Sequence, residues 1–440
     1  MPLRRAVVLL AVPMVLEMSM ESLFAVVDML WVSRLGSDAV ATVGLTEAML
    51  ALIYAVAFGL AAGATALVAR RVGEKNPDGA ARAAGQSLIA AVVVAAVLGV
   101  AGAALAPRLL AAMGASPAVV AQGAGYTAVM FGGNVTIVLL FVANAIFRGA
   151  GDAAMAMRSL WLANIMNILL GPCFIFGLGP FPRLGITGAA VATTIGRGIG
   201  VVYQLVTLAR GDGRIAIASR HLAPDAAAMR SLLAVAGTGT LQTLVETASW
   251  LGLVRILSTF GSLAVAGYTV AMRIALFALL PPFGLANAAA TLVGQNLGAG
   301  EPERAQHAVA VAARYNVVFL GLVGVAFVAL PSVMLLPFQT EPGALPYATE
   351  CLRIVALGFL FYAYGMVVVT AFNGAGDTIT PTLINLGCFW AFKIPMAYLL
   401  ALPLGLGPRG VFIAITIAYS VQAMVSGLLF RRGRWKLKKV

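Results

Sequence analysis

The sequence predicts an all-α integral membrane protein, with twelve transmembrane helices in two six-helix lobes related by a pseudo-two-fold axis along the membrane normal. Three observations lead there. Of the 440 residues, 61% are apolar and 10% charged, where an ordinary soluble domain is about 25% charged; the mean hydropathy is +0.97. Apolar stretches of membrane-spanning length fill nearly the whole chain. Landmarks of the first half return in the second at one constant offset, that between Gly36 and Gly261. This composition excludes a soluble globular protein, a disordered chain and a disulfide scaffold. It also argues against an outer-membrane barrel, whose strands alternate apolar and polar.

A spanning helix needs about 20 mainly apolar residues. Such stretches fall at 6–33, 40–69, 83–106, 124–147, 159–178, 187–209, 231–257, 264–294, 308–330, 351–372, 380–402 and 411–430. The opening Met-Pro-Leu-Arg-Arg is basic, but the apolar run behind it is long, carries acids and lacks a small-residue cleavage site. It is expected to be span 1 rather than a cleaved leader. Ligand chemistry is therefore expected between helices.

The net charge of +13 has a topological explanation. With the N-terminus inside, the even connections and both tails hold most of the basic residues, among them Arg4, Arg5, Arg70, Arg71, Lys75 and, in the tail, Arg431, Arg432, Arg434, Lys436, Lys438 and Lys439. The outer connections hold Arg34, Arg108, Arg183 and Arg409. That asymmetry obeys the positive-inside rule. It predicts a multi-pass protein of the cell (inner) membrane with both termini cytoplasmic and no nucleic-acid partner. The basic tail is expected against anionic lipid heads. Cys173, Cys351 and Cys388 lie in or beside apolar spans without metal spacing, and His221 and His307 fall at connections, so an intramembrane histidine relay is not expected.

The repeat is read from four landmarks. Gly36 pairs with Gly261, Gly73 with Gly298, FRGAGD at 147–152 with FNGAGD at 372–377, and Gly185 with Gly410, all four at the same offset and with no net gap. Six spans per half make the repeat parallel. The expected division is an N-lobe at 1–209, a cytoplasmic linker at 210–230 and a C-lobe at 231–440. Two lobes about such an axis are expected to leave a cleft at their interface, where transporters bind and expose substrate alternately.

Ionisable groups inside spans are costly, so each is a functional candidate. Span 1 carries Glu17, Glu21 and Asp28. Their spacings put all three on one helix face, which must look into the bundle or into water. Pro13, one turn before Glu17, is expected to act as a hinge. Glu17 reads either as a water-facing carboxylate near the inner half or as a cleft residue. Glu21 has an acidic counterpart in Glu246, its repeat partner, and both are expected to line the substrate cleft with Met20 and Phe24. Asp28 has Leu253 as its counterpart, and an asymmetric buried acid suits a coupling-ion site built in one lobe; the alternative is a salt bridge to Arg34. Asn164 and Asn167 share one face of span 5, and Thr193 and Thr194 lie on span 6. They offer oxygens to a cation at Asp28 or serve as interhelical glue. Arg197, Arg273, Arg314 and Lys393 read as buried bases.

The two GAGD segments place aspartates in a Gly-x-Gly-Asp setting like that of intramembrane aspartyl proteases. Both sit at span ends, where a glycine turn closes a helix, so an enzyme is not expected.

The order and spacing of these landmarks resemble the multidrug and toxic compound extrusion (MATE) family over nearly the whole chain. The likeness is carried by Pro13 to Asp28, by WVSRLGSDAVA, by the RGAGD and NGAGD turns, and by LANIMNILLGPCFIFG and LGITGAAVAT on spans 5 and 6. The resemblance implies a 6 + 6 antiporter that takes in Na⁺ or H⁺ and exports an organic, often cationic, compound, with no other cofactor. It also implies a coupling-cation site at Asp28, Asn167 and Thr193, with Na⁺ at Asp28 and Asn167 as the metal alternative. Two departures stand out. Gly171 occupies the place of a second span-5 acid, which favours H⁺. Tyr362 stands where one branch has a span-10 acid. The expected partners are a small organic substrate and membrane lipids, with the chain acting as a monomer. A lipid-linked-precursor flippase of the same wider superfamily is the alternative function.

Overall fold

The computed structural model describes residues 2–211, 213–338 and 341–438, and these form helices and turns without strands. Lys439, counted above among the cytoplasmic charges, lies outside the described residues. The first half holds α1 (Leu3–Ser33), α2 (Ser37–Gly73), α3 (Pro77–Ala112), α4 (Pro117–Gly132), α5 (Asn134–Ala150), α6 (Ala153–Phe176) and α7 (Ile186–Arg210). The second holds α8 (Ala226–Leu257), α9 (Ser262–Gly298), α10 (Pro302–Ala329), the short α11 (Pro331–Leu335), α12 (Leu345–Leu357), α13 (Phe359–Gly374), α14 (Ile379–Asn385), α15 (Ile394–Ala401) and α16 (Pro408–Arg431).

Among the described residues ten segments are long and apolar enough to cross a membrane; α4 with α5, and α14 through α15, each count as one. The pair α12 and α13, bent by 58° at Gly358, makes an eleventh. The remaining expected span, 231–257, is α8, which is 32 residues long but carries Thr238, Thr240, Gln242, Thr243, Glu246 and Ser249, which dilute its hydropathy. Many large apolar side chains point outward, Val100 being 73% exposed, while the interior mixes numerous alanines with large side chains such as Phe147, Phe372 and Phe412. That arrangement suits lipid, where helices associate through close packing, often at small residues, rather than by hiding large ones from water.

The chain divides into two compact units: an N-unit, Leu16–Thr240, and a C-unit, Met1–Val15 with Leu241–Val440. The two cuts fall inside α1 and α8, at equivalent positions of the sequence repeat. Each half thus sends the start of its first helix into the other unit. Glycine makes the crossing possible. A Cβ on Gly59 of α2 would strike the α8 backbone at Ala236 and Thr240, and one on its repeat partner Gly284 of α9 would strike the α1 backbone at Met14 and Val15. The connection 210–230, expected to link two lobes, joins α7 to α8 and packs against α3 of the N-unit. Its His221 ring lies 2.9 Å from Asp78, and Gln86 donates to the Ala223 carbonyl at 2.9 Å. Helix α1 runs unbroken through Pro13.

The GAGD segments are helix junctions. Gly151 and Gly376 adopt φ of 85° and 81°, a left-handed conformation that glycine alone takes without strain. Asp152 accepts from the Met155 amide at 3.2 Å, and Asp377 accepts from the Thr380 hydroxyl at 2.6 Å. Both aspartates serve the start of the helix that follows.

The basic tail departs from expectation in part. After α16 the chain turns back so that Trp435 is buried and stacks on Phe430 at 4.5 Å. Lys436 pairs with Glu303 at 2.8 Å and Lys438 with Asp377 at 3.3 Å. These two lysines meet acids of the C-unit, and Arg431, Arg432 and Arg434 are left exposed.

Candidate functional site

The N-unit gathers most of the polar groups singled out on span 1. Glu17 is 1% exposed, and its Oε1 accepts from Arg148 Nη1 at 2.7 Å and from Asn144 Nδ2 at 3.0 Å. It is therefore closed into a buried ion pair rather than open to water or substrate. Hydropathy placed Arg148 at a span end, but α5 continues to Ala150 and carries the guanidinium inward.

One turn on, Glu21 is half-buried and accepts from Asn164 Nδ2 at 3.0 Å. Arg197 Nη2 lies 3.7 Å from its Oε1. The guanidinium also stands 5.8 Å from the Phe24 ring centre and donates to the Tyr54 hydroxyl at 3.3 Å. Its Nη1 is buried and has no hydrogen-bond partner among the described residues.

Asp28 is half-buried. No hydrogen bond or ion pair holds its carboxylate among the described residues; the charged groups that act on it are Glu47 of α2 and Arg197 of α7. The alternative pairing with Arg34 does not form, because Arg34 lies over the Trp31 ring at 4.9 Å. Asn167 and Thr193 join each other, with Nδ2 donating to Oγ1 at 2.7 Å. The expected coupling residues thus fall into three places: Asp28 open, Asn167 with Thr193, and Asn164 on Glu21. At Gly171 an added Cβ would make only an ordinary contact with Trp31, at 3.7 Å, so packing against Trp31 does not by itself require glycine there.

Three members of this cluster, Glu47, Tyr54 and Tyr126, escaped the sequence reading. Glu47 acts on Asp28, and the Tyr126 hydroxyl feels Asp28, Glu47, Tyr54 and Arg197 together. Glu47 was legible as a lone acid within the apolar stretch 40–69, a signal as strong as that of Glu21.

The C-unit holds a smaller set. Glu246 is half-buried and faces the charge of Lys393. Lys393 is 4% exposed, donates to Ser249 Oγ at 2.9 Å and lies 4.3 Å over the Phe389 ring. It closes a π-helical stretch, Leu386–Lys393, a distortion that recurs at functional positions. Tyr362 is buried against Tyr419, with ring centres 4.5 Å apart. Met20 and Phe24, assigned to the substrate cleft, are both buried in the N-unit. Arg273 and Arg314, read as buried bases, are exposed; long basic stems can lie along apolar surface with the charge outside.

Among the described residues no group of three His, Cys, Asp or Glu side chains could hold a metal ion. Any small cation at Asp28 would rely on that carboxylate and neutral oxygens.

The profile of the MatE family matches residues 13–173 and again 240–399, once in each half. "Probable multidrug resistance protein YoeA" of Bacillus subtilis (strain 168) is 25% identical, over 96% of this chain and 92% of that protein. The "FAD transporter" of Shewanella oneidensis is 29% identical, over 86% of this chain and 83% of that protein. A solved structure of a MOP superfamily transporter from Pyrococcus furiosus, described by a "reverse polarity of binding pocket", superposes with a TM-score of 0.93 at 28% identity, covering 100% of this chain and 97% of that one. A solved structure described as "MATE in the bent conformation" gives a TM-score of 0.91 at 28% identity, over 99% and 96%.

Proposed function

The chain belongs to the MatE family, and on that premise we propose that it is a cation-coupled antiporter that exports organic, cationic amphiphilic compounds by alternating access. It sits as a monomer in the lipid of the cell membrane, with both termini cytoplasmic. One observation carries this reading: Asp28 presents a half-buried carboxylate that no hydrogen bond or ion pair occupies among the described residues, inside an apolar span where such a group is expensive unless it has a task. H⁺ or Na⁺ on Asp28 removes its charge. A ligand shifts a conformational equilibrium only as far as it binds one state better than the other, and the coupling ion does so by favouring the state that has released substrate. Pro13 supplies the flexible point in α1. The missing acid at Gly171 favours H⁺, since a tight Na⁺ cage would need more oxygens.

The test is dye efflux from proteoliposomes under an imposed pH gradient and, separately, an imposed Na⁺ gradient. Efflux of a cationic dye driven by either gradient supports the proposal, and efflux indifferent to both contradicts it.

A second reading concerns substrate charge. Lys393 is a buried ammonium whose hydrogen-bond partner is only a serine hydroxyl, and one relative is named an FAD transporter. An anionic substrate is the alternative that these observations favour. Inhibition of dye efflux by FAD, and its loss in Lys393→Met, would select that reading.

A further inference from the structure

Helix α7 is pressed onto α6 by small residues: a Cβ on Gly196 would meet the Ala163 carbonyl and Asn167, and one on Gly200 would meet Ala163 and Ser159. That close approach fixes Arg197 on a rigid element, 5% exposed, facing α1 and α2. Buried guanidinium groups ordinarily have their donors hydrogen-bonded and their charge paired. This one does not. Nη2 reaches the Tyr54 hydroxyl at 3.3 Å, stands off Glu21 at 3.7 Å, and Nη1 has no acceptor among the described residues. Glu21 and Asp28 both act on its charge. Arg148, the basic group of α5, is committed to Glu17. Arg197 is therefore attracted by two carboxylates and hydrogen-bonded to neither.

Glu21 and Asp28 are seven residues apart on α1, two turns or about 10 Å along the axis. One guanidinium fork cannot grip both. Full pairing with one acid leaves the other without its counter-charge. We propose that Arg197 is a tethered counter-ion that makes occupancy of Glu21 and of Asp28 mutually exclusive. The inference rests on the coupled-antiport reading and deepens it by naming the residue through which ion and substrate sense each other. When H⁺ or Na⁺ neutralises Asp28, Arg197 swings fully to Glu21 and competes with a cationic substrate there. When a cationic substrate takes Glu21, Arg197 turns to Asp28 and lowers its affinity for the coupling ion. Tyr54 holds the guanidinium in reach of both positions, and Glu47 adds negative charge beside Asp28. Arg197 acts through these acids and is a positioning residue.

The second half shows that the fold accepts a neutral side chain at this position, since Gln422 is the repeat partner of Arg197. The experiment follows from that. Binding of the fluorescent cation ethidium to the purified full-length protein is titrated with Na⁺ at pH 7.5 and with acid at fixed Na⁺. In the wild type the coupling ion is expected to weaken dye binding about tenfold, within the usual range of coupling between sites. In Arg197→Gln the dye still binds, and the ion-dependent change falls below about twofold. Arg197→Gln with wild-type coupling overturns the proposal. Glu21→Gln gives an independent reading that needs no change at Arg197. It leaves the guanidinium to Asp28 alone, so about tenfold more Na⁺ or H⁺ is needed to occupy Asp28, read as quenching of Trp31 three residues away. An unchanged ion requirement in Glu21→Gln likewise overturns the proposal. Wild-type protein whose dye binding ignores both Na⁺ and pH refutes the coupled-antiport reading itself, and the inference with it.

Discussion

The two halves of the chain share a backbone plan and differ in where they keep charge. In the first half Glu17 and Arg148 form a buried ion pair at 2.7 Å. Their repeat partners in the second half are Gln242 and Asn373, two amides whose carbonyl oxygens are buried without partners. Arg197 becomes Gln422, and Asp28 becomes Leu253. Only Glu21 keeps an acid, Glu246, which faces Lys393 of α14–α15 rather than a base on the last helix. The turns that open α3 and α10, by contrast, match closely. The acid that opens α3, Asp78, is met by Arg220 at 3.0 Å, and the one that opens α10, Glu303, is met by Lys436 at 2.8 Å. Both halves therefore carry such a clasp, while the bundle holds charge in one half and amides in the other. Four of these five ionisable positions of the first half, Glu17, Asp28, Arg148 and Arg197, are neutral in the second.

Breaking the ion pair should have the largest effect on stability. Arg148→Met leaves Glu17 as an uncompensated buried charge and is expected to cost about 3–5 kcal/mol, seen as a large fall in unfolding temperature in detergent. The double variant Glu17→Gln with Arg148→Asn copies the second half and should recover most of that loss. If the double variant is as unstable as the single one, the halves are not interchangeable at this position. Next comes the crossing glycine. Gly284→Leu forces a side chain against the α1 backbone and should cost about 1–3 kcal/mol, and Gly59→Leu should match it if the two crossings are equivalent. Unequal costs would show that one crossing bears more of the packing. Trp435→Ala should act locally, raising hydrogen exchange across 430–438 while leaving α10 protected; uniform exchange would mean that the tail clasp adds nothing. The smallest effect belongs to Asp225. The backbone amide of Ala228 is the main cause that holds its carboxyl below the usual range, with the Ala227 amide and Arg82 adding to it. A lowered carboxyl stabilises the folded state above its unfolded pKa, and the benefit disappears as pH falls through the folded value. Asp225→Ala should therefore lower the unfolding temperature slightly at neutral pH and make no difference in acid.

Much of the architecture was legible because hydropathy and repetition are local signals. Gly36 with Gly261 and Gly151 with Gly376 mark turns whose positive φ is written into the sequence as glycine. The bend at Gly358 was not legible, since the run 351–372 reads as one apolar span. Partnerships were harder still. Arg148 meets Glu17 across 131 residues and Lys436 meets Glu303 across 133, and nothing local announces such pairs. Asp28 was found because its face of span 1 carries two other acids. Glu47 was missed because it shares its face of α2 with no cluster of acids like that of span 1, and its action on Asp28 depends on a neighbour from another helix. The openness of Asp28 and the orphaned donor of Arg197 are facts of packing, and only the folded chain displays them.

The claim beneath the account is that the Asp28 carboxylate is where the driving ion acts. Reconstituted wild-type and Asp28→Asn proteins, inserted to equal amounts, should be compared for cationic-dye efflux under pH and Na⁺ gradients. The account predicts that ion-driven efflux falls to the level of empty vesicles in Asp28→Asn while the dye still binds. Gradient-driven efflux at the wild-type rate in that variant would contradict it.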